Sequence, residues 1–466
     1  LSNNDAGTSN TIFGKSAGDA IASGGNYNVV IGEGAGGALT TGDTSVAVGF
    51  EALLTEDTNS ENTAIGYQAL KTQNGADGNT AVGMRAGLDL TTGASNTFVG
   101  AETAANVTTG ADNVMMGKAA GVNTQTASGS VLLGRSAGRD ISTGNENIAI
   151  GKEAMFDGTV TGDNNIAIGT NAGDALTSGF NNVAIGKQSF TRATTANENI
   201  AIGNNALGQN TYTSSGSVAI GYFALGDVST GAMNVGIGYR AGKSILTGYS
   251  NVIIGEDAGR QITTARENVI IGANAYESAN SSENFAVVIG YNAANLLDGI
   301  DNVVAIGHSA LSTMVAVDGN TAVGFEAGKV TTGASNTYVG HSAGKGASGA
   351  DTGNVGVGTS ALLSITSGEN NIAVGHLALD ALTDGDLNVA IGTSALSAYN
   401  GNAAVAIGRE ALRDLNNTGA LGAIGIGQGA GASLTSGGRN TAIGYQALGS
   451  ATELTHNIAI GWQALK

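Results

Sequence analysis

The chain has 466 residues, 76 of them glycine, with no proline, no cysteine, 41% hydrophobic content and a net charge of −18. That composition excludes disulfides and thiolate metal sites, is too apolar for a disordered tract, and lacks the basic footprint that nucleic-acid binding needs. No apolar run is long enough to span a bilayer as a helix, and no signal peptide is visible. The chain opens on Leu1, so it reads as a processed product or an excised segment.

An internal repeat runs the length of the chain. An apolar triplet followed by glycine recurs at Gly14, Gly32, Gly49 and Gly66, and continues in the same register to Gly427, Gly444 and Gly461. The 27 copies have a mean period of about 17 residues. The consensus is Asn, the triplet (Val/Ile/Thr, Ala, Ile/Val), Gly, two variable residues, Ala, then a Leu-Thr-Thr-Gly-like stretch. A coil this short has no room for a strand–helix–strand unit, and the leucine framework of leucine-rich repeats is absent. The pattern predicts an all-β fold: a parallel β-solenoid, or β-roll, of about 27 turns. A single continuous repeat region over 1–466 is expected, with a length near 125–130 Å if each coil advances by one strand spacing.

Each column has its own expected role. The first and third triplet residues, such as Ile166 and Ile168, are large and share one strand face, so they are expected to line the interior. The glycine turns the chain through a positive φ. The two residues after it, such as Lys152 and Glu153, face solvent. Alanine follows in 25 of 27 copies, replaced by Thr103 and Ser189, and marks a crowded corner. Asparagine precedes the triplet in 20 copies. Its amide either bonds to the same amide in the next coil, forming a ladder, or caps its own turn. The Thr-Thr-Gly stretch, as at Thr91–Gly93, reads as a loop. The intervals 272–290, 324–340 and 408–427 depart from the period, and Asp414–Gly419 reads as a polar insertion suited to surface variation.

The middle triplet residue points away from its neighbours, yet it is small or apolar throughout: Ala149, Ala167, Ala184, Ile253, Met115, Leu132. A strand apolar on both faces is buried on both faces. The second face therefore calls for a partner, most simply identical chains around an axis.

The motif Asn62-Thr63-Ala64-Ile65-Gly66-Tyr67-Gln68-Ala69 resembles the head repeats of YadA-like trimeric autotransporter adhesins. The phrase Asn440–Leu448 also resembles repeats in phage tail-fibre and bacterial fibre proteins. The repeat in the adhesin heads is shorter, and the extra residues here sit around the Thr-Thr-Gly loop. The resemblance covers essentially the whole chain. It implies a homotrimeric rod on a cell surface, in the extracellular space or on a virion, with a glycan or cell-surface receptor as a possible partner.

Enzyme chemistry is not expected. No catalytic, cofactor-binding or metal-binding residues are assigned, and no cofactor is expected. The Gly425–Gly431 pattern belongs to the repeat rather than to a dinucleotide fingerprint. Gly14-Lys15-Ser16 and Gly242-Lys243-Ser244 lack the earlier P-loop glycine. His308, His341 and His376 share the column after the glycine, two coils apart, too far for shared coordination. Aromatics in that column, among them Phe50, Tyr67, Tyr291, Phe325, Tyr445 and Trp462, suit sugar stacking or protein contact, or simply cover the alanine corner. The leading reading is a structural fibre or stalk, with or without receptor adhesion. The alternatives are an ice-binding solenoid, which needs aligned Thr-x-Thr, and a polysaccharide-acting β-helix enzyme, which needs clustered carboxylates.

Overall fold

The computed structural model describes residues 7–277, 284–296, 301–313, 318–346, 349–416 and 421–466. They fall into two units, Leu1–Met233 and Asn234–Lys466. Each is a parallel β-solenoid. The first carries thirteen three-residue strands, from Thr11–Phe13 to Val218–Ile220, and the second fourteen, from Val235–Ile237 to Ile458–Ile460. Every strand is the apolar triplet before a repeat glycine. Within each unit successive triplets pair position for position, as in Ile166↔Val183, Ala167↔Ala184 and Ile168↔Ile185. Of the insertion read at Asp414–Gly419, the part beyond Asn416 lies outside the described residues.

The repeat glycines fix the stacking. Gly169 has φ +137, and a Cβ there would lie 2.6 Å from the carbonyl oxygen of Gly186 in the next coil. Backbone sits directly on backbone at this corner, so no side chain fits. Glycine also adopts the positive φ without the strain other residues would carry.

The asparagines do both things the sequence left open. The Asn96 backbone N–H and its Nδ2 donate to Asn79 Oδ1 at 2.9 and 3.1 Å. The same Nδ2 donates to the Gly110 carbonyl at 2.9 Å, closing its own coil. Asn113 repeats all three bonds, to Asn96 and Ala127. The ladder recurs in the second unit at Asn354, Asn371 and Asn388. Serine prolongs it more weakly: Asn147 N–H donates to Ser130 Oγ at 3.3 Å. The loop threonines also have a function beyond the turn. Thr91 Oγ1 donates to the Thr108 carbonyl at 2.8 Å, and Thr108 Oγ1 donates to the Gln125 carbonyl at 3.0 Å.

The strand faces are the reverse of the sequence expectation. The middle residues Ala149, Ala167 and Ala184 are fully buried, while the flanking residues of the same strands are only partly covered. Ile185 is therefore on the outer face, not in the interior. Alternation identifies two faces but not which is inward. The reason is volume. A coil of this circumference encloses a narrow interior that takes alanine at most middle positions, so the bulky residues go outside.

Interior space is shared between the middle residue and the residue four after the glycine. Where the middle residue is Ala64, Ala201 or Ala442, the later one is Leu70, Leu207 or Leu448, all buried. Where it is Met115, Leu132, Ile253 or Tyr338, the later one is Gly121, Gly138, Gly259 or Gly344. A Cβ on Gly138 would meet Leu132 Cδ2 at 2.6 Å, and one on Gly344 would overlap the Tyr338 ring. Coils with two small residues borrow volume from neighbours: a Cβ on Gly87 would meet Leu70 and Phe98, from the coils on either side. At the alanine corner the two replacements bond to backbone, Thr103 Oγ1 to the Gly117 carbonyl and Ser189 Oγ to the Gly186 carbonyl.

The interior also holds an ionisable glutamate. Glu56 is fully buried. Its Oε1 accepts from the Asp57 and Asn59 N–H groups, and its Oε2 accepts from Gln73 Nε2 at 3.1 Å. Burial pushes its carboxyl above the usual carboxylate range, against those hydrogen bonds. Gln73 Oε1 is buried without a partner.

This packing makes three predictions. Gly169→Ala should melt its neighbourhood, by about 3 kcal/mol or more from backbone overlap and a forced φ, read as new protease cleavage near that coil. Gly78→Asn should be neutral or stabilising by up to about 1 kcal/mol. Its φ is +69 with nothing within 4 Å of a Cβ, and Glu61 and Ser95 hold the same column at φ 63 and 59. The Glu56 carboxyl holds its proton more tightly folded than unfolded. Stability is therefore lost as pH rises through the interval from the unfolded to the raised folded value, and regained on acidification. The difference in melting temperature between Glu56→Gln and the parent should be positive at neutral pH and shrink as pH falls through that interval. A constant difference would show that the carboxyl does not titrate abnormally.

Candidate interaction surface

The outer strand face is a regular surface repeated along each unit. Two columns flank the buried middle residue, and the second is Phe, Ile, Val, Met or Leu in every copy. Adjacent members cover each other only in part. Met116 is 48% exposed and Ile65 39%. With strands about 4.8 Å apart and the two columns about 7 Å apart plus side-chain width, thirteen or fourteen strands present roughly 600 Å² of apolar ribbon per unit. That is at the upper end of what a soluble monomer leaves exposed in one patch.

The column after the glycine contains the expected aromatics, and they stack on one another. Tyr291, His308, Phe325 and His341 come from four successive coils, with centroids 5.3, 5.2 and 5.0 Å apart and planes within 33°. Phe50 and Tyr67 stack at 5.3 Å, and Tyr445 and Trp462 at 6.4 Å. Tyr291 and Phe325 are 49% and 43% exposed, but within the four-ring stack the faces turn toward each other and edges toward water. A sugar packs on a ring face, so the stack offers faces mainly at its ends. Phe325 separates His308 from His341, so these two histidines do not share a site. Beside the stack, Lys329 and Lys345, each 2.6 Å away, hold the Glu326 carboxyl down to about 2.

Acidic residues gather where the chain approaches the strands. Asp112, Glu146 and Asp163 line a surface recess with Ser128, Gly129, Asn145 and Asn164. Several of its polar groups are already used between coils: Asp163 Oδ1 accepts from Asn145 N–H at 2.6 Å, and Asn145 Oδ1 from Ser128 N–H at 2.9 Å. Among the described residues, no group of three or more His, Asp or Glu side chains is placed to hold a metal ion. No helix in these residues is long and apolar enough to cross a membrane.

No protein-family model and no curated protein matches the chain.

Sequence reasoning missed the outer ribbon because it assigned those columns to the interior. The signal was present in the middle column, where alanine predominates. A residue that small is better suited to a cramped interior than to a contact between chains.

If the ring stack is structural, Phe325→Ala should weaken its coils by about 1 kcal/mol through lost ring contacts, seen as faster local hydrogen exchange at His308 and His341. Unchanged exchange would mean that the stack contributes nothing to coil cohesion.

Proposed function

We propose that this chain is a structural fibre or stalk segment of an extracellular, cell-surface or virion appendage, assembled from identical copies through the outer faces of its strands. The observation that carries the proposal is the apolar outer ribbon. The interior is already filled by the middle residues and the leucines that follow, so the outer Val and Ile columns are not needed to complete the coil. Burying them requires something outside the chain, and a second copy presents the same regular surface. Three copies are favoured over two by the resemblance of the repeat to trimeric adhesin heads. Adhesion to a glycan or receptor remains a role for the variable loops and the ends of the ring stacks.

The ice-binding alternative is weaker. It needs free, aligned threonine hydroxyls, and loop hydroxyls such as those of Thr91 and Thr177 are spent on carbonyls of the next coil. A polysaccharide-cleaving site needs paired carboxylates in a cleft, and the acidic recess instead uses Asp163 to hold backbone.

Sedimentation of the intact chain tests the proposal. The parent should sediment as an oligomer, and Ile150→Lys, Ile168→Lys and Ile185→Lys together should convert it to a folded monomer. The equivalent change at Ala149, Ala167 and Ala184 should unfold the coils instead, since those residues are interior. A parent that is monomeric at micromolar concentration would overturn the proposal.

A further inference from the structure

The outer ribbon of the first unit has different charges along its two edges. Chain order places one edge just before each strand and the other just after it. In the coils from Asp112 to Asn204, the upstream edge carries the exposed acids Asp112, Glu146, Asp163 and Glu198, and no Lys or Arg. The downstream position directly after the glycine carries the exposed bases Lys118, Arg135, Lys152 and Lys187, and no Asp or Glu. Between the edges lie Val114 and Met116, Val131 and Leu133, Ile148 and Ile150, Ile166 and Ile168, Val183 and Ile185, and Ile200 and Ile202. Glu153 partly neutralises the basic edge, pairing with Arg135 at 2.6 Å and Lys152 at 3.3 Å. For Lys118 and Lys187 no ion pair forms among the described residues.

This polarity constrains how two such faces can meet. Rotation about an axis along the coil stack brings the acidic edge of one copy against the basic edge of the next. Turning a copy end over end, about an axis lying across the ribbon, brings acid against acid and base against base. We infer that copies of this chain associate parallel and in register, with the upstream acidic edge of each against the downstream basic edge of its neighbour. The inference rests on the self-association proposed above. In register, Asp112 of one copy is level with Lys118 of the next, and Glu146 with Lys152. Glu198 is one coil from the level of Lys187. The apolar ribbon supplies affinity while the edges supply direction and register, which is how charge usually acts at an interface.

The test uses the full chain in two parts. Lys118→Glu, Lys152→Glu and Lys187→Glu together should weaken self-association about ten- to hundredfold at low salt. Asp112→Lys, Glu146→Lys and Glu198→Lys together should do the same, and a one-to-one mixture of the two variants should recover mixed oligomers. These six side chains lie on the surface, so circular dichroism of each variant should match the parent. Because the chain has no cysteine, Val46→Cys and Ile200→Cys then report direction through a short thiol crosslinker. Parallel copies link each site to itself. Linkage of Val46→Cys only to Ile200→Cys would overturn the inference while leaving self-association standing. Charge reversal without effect at low salt would also overturn it. A monomeric parent would overturn both readings.

Discussion

The contact on which the structure depends is glycine backbone against glycine backbone, repeated once per coil. At Gly169, Gly186 and Gly203 the next coil's carbonyl occupies the space a Cβ would need. The corner can neither widen, without breaking the strand pairing beside it, nor accept another residue. Other features are counted from that point. The residue before each asparagine and the second and fourth after the glycine are left-handed even when they are not glycine, as in Glu61, Gln68 and Leu70. Each such residue costs about 1 kcal/mol or more. Tight alternation of turns closes so short a coil, and in the coils that carry asparagine its bonds offset the cost by satisfying buried backbone groups.

Interior packing in this solenoid couples neighbouring coils rather than standing coil by coil. Leu70 fills space left by Gly87 in the next coil, and Leu412 occupies the space beside Gly425 and Gly431. The buried tyrosines are the extreme case, and the hydroxyls of Tyr212 and Tyr338 end on polar side chains at the coil wall. Tyr212 donates to Ser217 Oγ at 2.9 Å, and Tyr338 to Asp351 Oδ2 at 2.5 Å. Burial raises the Tyr212 hydroxyl to about 12. Because each coil depends on its neighbours for volume, a large-for-small exchange is compensated in the next coil or four residues after the glycine, and the glycine register stays intact.

Much of this was legible in the sequence because it recurs. The glycine column, the strand triplets, the alanine corner and the asparagine column each occupy the predicted place. What alternation alone does not give is the direction of the triplet. Ile-Ala-Ile and its reverse give the same alternation, and the usual rule that large residues lie inside fails when the interior is too narrow for them. Ala149 and Ile150 show the failure: the smaller is buried and the larger looks out. The threonine hydroxyl bonds were hidden for another reason. Threonine is common in loops generally, and only the stacking of Thr91 on Thr108 turns that preference into a hydrogen bond. The volume exchange between Leu132 and Gly138 involves positions six apart, a spacing that belongs to no regular secondary structure.

The two outer columns are not equivalent. Strand propensity alone favours Val, Ile and Thr about equally, since all three are β-branched. The first column behaves that way and admits Thr11, Thr63, Thr80, Thr97, Thr321, Thr337 and Thr441 among its valines and isoleucines. The third never does. From Phe13 to Ile460 it holds only Phe, Ile, Val, Met and Leu. Both columns belong to the same strands, pair in the same ladder and make no contribution to the filled interior, so coil stability gives no reason for the difference. A hydroxyl at the third position would cost little in water and much under an apolar cover. The absence of even one threonine there in 27 copies supports the self-association proposed above, and the tolerance of threonine in the first column fits a place nearer the rim of such a contact. In the coils from Asp112 to Asn204 the acidic edge lies on the side of the first column and the basic edge on the side of the third, and along the chain the ribbon grades from a mixed column to a strictly apolar one. An interface core and its margin carry the same gradient, and that likeness is the support it lends to the proposed self-association.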